Sequence, residues 1–173
     1  MEKRRMNNQG FTLVELLSVV VILSILMAIA VPNIISTLDR NKKETYIGDA
    51  KKMIALVKSQ MGNRINKPAY GEIVRVNLSC LDNQDLPSDP EGNPYDENET
   101  FVIVVRKNEE LMYYVNMIGK SSNGSTRGIY LTDRTNLDKD NRMTLVKKGI
   151  KVPTDEEIRS ITGVSGAIRT CVN

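Results

Sequence analysis

Histidine is absent from the 173-residue sequence. That excludes His-based triads, imidazole metal sites and imidazole acid–base catalysis, leaving carboxylate, Lys, Tyr or Cys chemistry. Cysteine is scarce. Cys80 and Cys171 are too far apart for a CxxC redox or zinc signature, and an even count in an exported chain suggests one disulfide, with two unpaired thiols as the open alternative. On chain-entropy grounds, closing so long a loop stabilises by roughly 4 to 5 kcal/mol at most. There is little net charge as well. The formal charge is +3, and Glu2, Lys3, Arg4 and Arg5 in the first ten residues account for two of those charges, so the remainder carries +1. No block of Lys and Arg with interleaved aromatics is left to track phosphates, so no nucleic-acid partner is expected.

Charge is missing most conspicuously from Leu16 to Val31, LLSVVVILSILMAIAV, where eleven residues are Leu, Ile or Val. Such a run is a membrane segment or an export signal. Those eleven residues favour insertion by roughly 3 to 7 kcal/mol, enough to outweigh one intramembrane acid at about 3 kcal/mol. Glu15 is therefore tolerable in the membrane but calls for a partner. Lys3, Arg4 and Arg5 hold the short leader on the cytoplasmic side. Two plainer readings compete. Ala28-Ile29-Ala30 has the A-x-A form of a secretory cleavage site, and a cut at Ala30 would release a soluble protein; a simple single-span anchor is the other. Neither needs an acid at the start of the run.

A helical pattern continues past that cleavage site. Ile47, Ala50, Ile54, Val57 and Met61 recur at spacings of three and four, with Lys51, Lys52, Lys58 and Ser59 between them. The pattern predicts a helix from about Phe11 to Asn63, roughly 80 Å long against a bilayer core of about 30 Å, so its second half must pack on something outside the membrane. Pro32 invites a kink or local melting where the uniformly apolar part ends, and Gly48 is a second weak point.

The residues Gly10-Phe11-Thr12-Leu13-Val14-Glu15-Leu16-Leu17, after a basic leader and before an apolar run ending near Pro32, resemble the class III signal of type IV prepilins. The resemblance implies a cut between Gly10 and Phe11 by a prepilin peptidase and methylation of the new Phe11 amine. It also implies pairing of Glu15 with the amino terminus of a neighbouring subunit. The expected divisions are a leader at 1–10, a transmembrane and assembly half-helix at 11–35, and a globular head at 36–173. Expected partners are other pilin subunits, minor pilins among them, the cytoplasmic membrane before assembly, and an assembly platform with its ATPase. No cofactor is expected. The resemblance implies a filament subunit, not an enzyme: either of an extracellular type IV pilus serving adhesion or twitching motility, or of a pseudopilus in a type II secretion or DNA-uptake machine.

Beyond Asn63 the chain reads as sheet, with strands at Ile73 to Leu78, Phe101 to Val105, Leu111 to Ile118, Gly128 to Leu131 and Met143 to Val152. Arg106 to Glu110 has the length of a hairpin connection. Thr154-Asp155-Glu156-Glu157 has the form of a capping box and opens a short helix. The fold class is α+β: a long N-terminal helix packed on a small antiparallel sheet, as in type IV pilins. Cys171 is similar to the C-terminal staple of many pilins, although Cys80 lies unusually far upstream. Leu86 to Tyr95 resembles the proline-rich loop of major pseudopilins, with Glu91 where an aromatic is common; taken alone it is a rigid turn-rich connector. Asp133, Asn136, Asp138 and Asp140 are the weak calcium candidate. Without the loop glycine and terminal bidentate Glu of an EF-hand, a solvated loop is the favoured reading and no metal is expected. Tyr113 and Tyr114 adjoin on one strand and should face opposite sides; core or interface packing is favoured over a sugar- or DNA-binding role.

Overall fold

The structure, a computed structural model, describes residues 11–63, 65–81, 86 and 88–171. Gly10 and the basic leader lie outside the described residues. Helix α1 spans Leu13–Gln60, and the chain divides into two compact units between Asp39 and Arg40.

In the first unit, every side chain from Phe11 to Leu38 is exposed. A helix that is apolar all round has no preferred side to bury against a small core, which is the pattern of a membrane span rather than of a surface helix.

In the second unit, α1 shows one buried stripe of Tyr46, Ile47, Asp49, Ala50, Met53, Ile54 and Val57. It packs against a six-stranded sheet of order β5-β4-β3-β2-β1-β6. The strands are β1 (Ile73–Asn77), β2 (Phe101–Lys107), β3 (Glu110–Lys120), β4 (Thr126–Asp133), β5 (Val146–Lys148) and β6 (Ile168–Thr170). Neighbours are antiparallel except β1 and β6, which pair in parallel through Ile73↔Ile168 to Arg75↔Thr170. The sheet is therefore not wholly antiparallel.

The sheet is covered on both faces, which explains the continuous apolar run of β2. Val102 and Val104 join the α1 stripe, while Phe101, Ile103 and Val105 join a second cluster with Ile73, Leu131 and Ile158. Ile158 comes from the short helix α2 (Asp155–Thr162), opened by a complete Thr154/Glu157 capping box. Tyr113 faces the α1 cluster and Tyr114 the opposite one. The β2–β3 hairpin turns through Asn108 and Glu109, both at positive φ.

The strand expected over Met143 to Val152 is largely replaced. Arg142–Leu145 forms a 3-10 turn, and only Val146–Lys148 pairs before Gly149, at φ 68°, ends the strand.

Candidate assembly site

The start of α1 is tied by a reciprocal pair of side chains. The Thr12 backbone N–H and hydroxyl each donate to Glu15 Oε2 at 2.8 Å, and the Glu15 N–H donates to Thr12 Oγ1 at 3.3 Å. This is a capping box of the form T-x-x-E, and it holds a carboxylate over the free amides of the first turn, where the helix dipole favours negative charge. The sequence carries the same signal here as at Thr154–Glu157, yet Glu15 reads first as an unpartnered intramembrane acid. Its local partner is Thr12. Phe11, next to this cap, is 85 % exposed.

Polar groups along the apolar stretch are satisfied within their own helix. Ser18 Oγ donates to the Val14 carbonyl and Ser24 Oγ to the Val20 carbonyl, both at 2.8 Å, and Asn33 Nδ2 reaches the Ile29 carbonyl at 3.2 Å. Such self-satisfaction is what hydrocarbon demands, since it offers no other partners. α1 continues through Pro32, which cannot donate to the Ala28 carbonyl.

In the head, the proline-rich loop is anchored to α1 by a network that its sequence gives no hint of. The Tyr46 hydroxyl lies 3.1 Å from Asp89 Oδ2 and 3.0 Å from Glu91 Oε2, and its ring meets Tyr95 edge-on at 6.0 Å. Arg127 Nη1 and Lys42 Nζ approach Glu91 Oε1 at 2.7 and 3.5 Å. Asp89 Oδ1 accepts from the backbone N–H groups of Glu91 and Asn93, closing the turn. The Tyr95 hydroxyl donates to buried Asp49 Oδ2 at 2.7 Å. Burial pushes the Asp49 carboxyl up, against the opposing Tyr95 bond and Lys52 charge. Burial and the adjoining carboxylates also push both phenols up, so these tyrosines are fixed donors rather than acid–base groups.

The calcium candidates are turned to other uses. Asp133 Oδ1 accepts from the Thr135 N–H and hydroxyl, and Asn136 donates to Thr132 Oγ1. Asp138 pairs with Lys51 at 2.7 Å and with Arg134, which hold its carboxyl down to about 2. Asp140 is exposed in the following turn. Among the described residues no group of three or more His, Cys, Asp or Glu side chains could hold a metal ion. Cys80 and Cys171 are joined as a disulfide.

A family model described as the prokaryotic N-terminal methylation motif matches residues 5–31. The chain is also 33 % identical over 117 residues to type II secretion system core protein G of Pseudomonas aeruginosa, an alignment covering 53 % of this chain and 74 % of that protein. No solved structure matches. With the methylation motif lying over the capped start of α1, and the likeness to core protein G covering most of that protein, this chain belongs to the type IV pilin and pseudopilin family and is a structural subunit rather than an enzyme.

Proposed function

We propose that the chain is cut between Gly10 and Phe11, methylated on the Phe11 amine, and polymerised through α1 into a filament rooted in the cytoplasmic membrane. The observation that carries this reading is the unbroken exposure of the apolar side chains from Phe11 to Leu38. Residues 1–10 are the leader, 11–35 leave lipid to pack against the same segment of other subunits, and 36–173 form the head. Both bonds from Thr12 fall on Glu15 Oε2, and Oε1 serves the amino terminus of a neighbouring subunit. An ion pair in low dielectric is favourable only with good geometry, so this contact sets register as much as affinity. Pro32, lacking a donor, is where α1 gives way as the subunits pack. A prepilin peptidase, an assembly platform and its ATPase are the implied partners.

Two filaments use such a subunit. An extracellular type IV pilus for adhesion or motility is one, and the Cys80–Cys171 closure of the head fits an exported subunit of either filament. A short pseudopilus is supported by the likeness to core protein G. Electron microscopy of cells producing the wild type and Glu15→Lys tests both levels. Long surface fibres in the wild type select the pilus. Glu15→Lys should be cut and inserted normally yet be missing from filaments, and normal filaments from it would overturn the pairing of Glu15.

A further inference from the structure

Charge is segregated along the head's sequence. Residues 82–99 hold seven acids and no Lys or Arg, whereas 119–131 and 142–153 together hold six Lys or Arg and no acid. The fold places the basic stretches and the end of the acidic one on different sides of the sheet. At one edge β5 exposes Lys147 and Lys148, and Lys151 beyond it and Lys120 at the end of β3 are exposed as well. Among the described residues none of these four amines has a carboxylate partner, whereas Arg127 is held by Glu91 at 2.7 Å. Three to four strand spacings away, about 14 to 19 Å, the acidic stretch ends in the turn that leads into β2. There Glu97 is exposed and Asp96 and Glu99 are half-buried. The turn is fixed by its neighbours: the Ser79 N–H donates to the Glu97 carbonyl at 3.2 Å, Arg75 Nη2 to the Asn98 carbonyl at 3.1 Å and Asn116 Nδ2 to the Glu99 carbonyl at 2.8 Å. Asp96 Oδ1 closes it by accepting from the Asn98 and Glu99 N–H groups at 3.0 and 2.9 Å. Acids carried on so fixed a frame lose little backbone entropy on meeting a partner.

We infer that the Lys147–Lys148 edge of one head meets the Asp96–Glu99 turn of a second copy of this chain. The two flanks lie on different sides of the sheet, so one partner cannot satisfy both, and the contact is heterologous and repeats from head to head, as an open filament requires. Without residues 1–10 the chain carries only +1, so the heads do not repel one another as wholes, and their segregated charges select which side faces which. Lys147 and Lys148 also discourage β5 from pairing strand to strand with another head, which leaves side-chain contact as the mode open to this edge. Exposed ion pairs are individually weak. In a filament, however, α1 already holds neighbouring heads at about millimolar effective concentration, so the heads supply orientation rather than affinity. The inference rests on polymerisation through α1 and is the same in either filament.

A carbodiimide, which joins a Lys amine directly to a carboxylate in contact with it, tests this on envelopes and filaments from cells producing the full chain. It should give covalent dimers and longer ladders whose mapped junctions join Lys147 or Lys148 to Glu97 or Glu99. Salt at about 1 M, where screening acts within about 3 Å, should lower their yield at least about threefold. Lys147→Glu/Lys148→Glu should lose these junctions and lower filament yield by microscopy at least about threefold. Adding Glu97→Lys/Glu99→Lys should restore both, a rescue that a merely misfolded head would not show. Wild-type filaments without these junctions, or a combined variant that recovers neither, would overturn the inference and leave polymerisation standing. A wild type that gives neither filaments nor ladders would overturn both.

Discussion

From Leu16 to Val31, α1 carries eleven Leu, Ile or Val residues and buries none of them, whereas from Tyr46 to Val57 the same helix buries seven side chains against a sheet. The first stretch is apolar on every side and the second on one. A one-sided stripe can be satisfied by the chain's own sheet, but an all-round apolar surface can be satisfied only by lipid or by other helices. One helix thus meets two solvents, and its first part finds its partners outside the chain.

Mutations in the two stretches should separate cleanly. Truncating Ile54, fully buried in the stripe, should cost the head about 2 to 5 kcal/mol in denaturant unfolding, while Leu23→Ala should move the same transition by less than about 0.5 kcal/mol. Comparable losses would erase the distinction. The converse change is Val20→Lys, which should disfavour membrane insertion by about 3 kcal/mol and leave head unfolding unaltered; membrane fractionation beside a melting curve reads both.

A smaller effect sharpens the comparison within the buried stretch, where the stripe contains a charge. Tyr95→Phe removes the hydroxyl bonded to Asp49 and should cost about 1.5 to 3 kcal/mol. Because burial raises the Asp49 carboxyl, the folded head favours its protonated form. That contribution is fully present below the unfolded Asp value of about 3.9 and is lost as pH rises through the higher folded value. Asp49→Asn should therefore gain on the wild type as pH climbs from acid to neutral in parallel melts, and a constant difference would mean that the site does not titrate. The smallest effect is at Gly48, exposed within α1, where an added methyl group would meet nothing within 4 Å. Gly48→Ala should stabilise the head by about 0.5 to 1 kcal/mol, read from the same melts.

Local signals are the legible ones. The three-and-four spacing of Ile47, Ala50, Ile54 and Val57, the alternation that separates Tyr113 from Tyr114, and the Thr154 capping box each arise within a few residues, and the fold follows them. β6 is not legible, because Ile168–Thr170 is too short to alternate and its partner β1 lies over ninety residues upstream. The strand expected over Met143 to Val152 is cut short because Gly149 takes a left-handed turn after three paired residues. At the assembly site, the acid at Glu15 is readable from its apolar setting, whereas the T-x-x-E signal that makes Thr12 its cap is masked by the apolar run around it. The Tyr46–Asp89–Glu91 network is hidden because its members are brought together only by tertiary packing, more than forty residues apart.

The central claim is that the apolar first part of α1 stays in the mature chain as its assembly element. Intact-mass and N-terminal analysis of the protein from its native envelope tests this most directly. The account predicts an N-terminus at Phe11 bearing one methyl group; an N-terminus at Val31 would mean a conventional secreted protein and would contradict it.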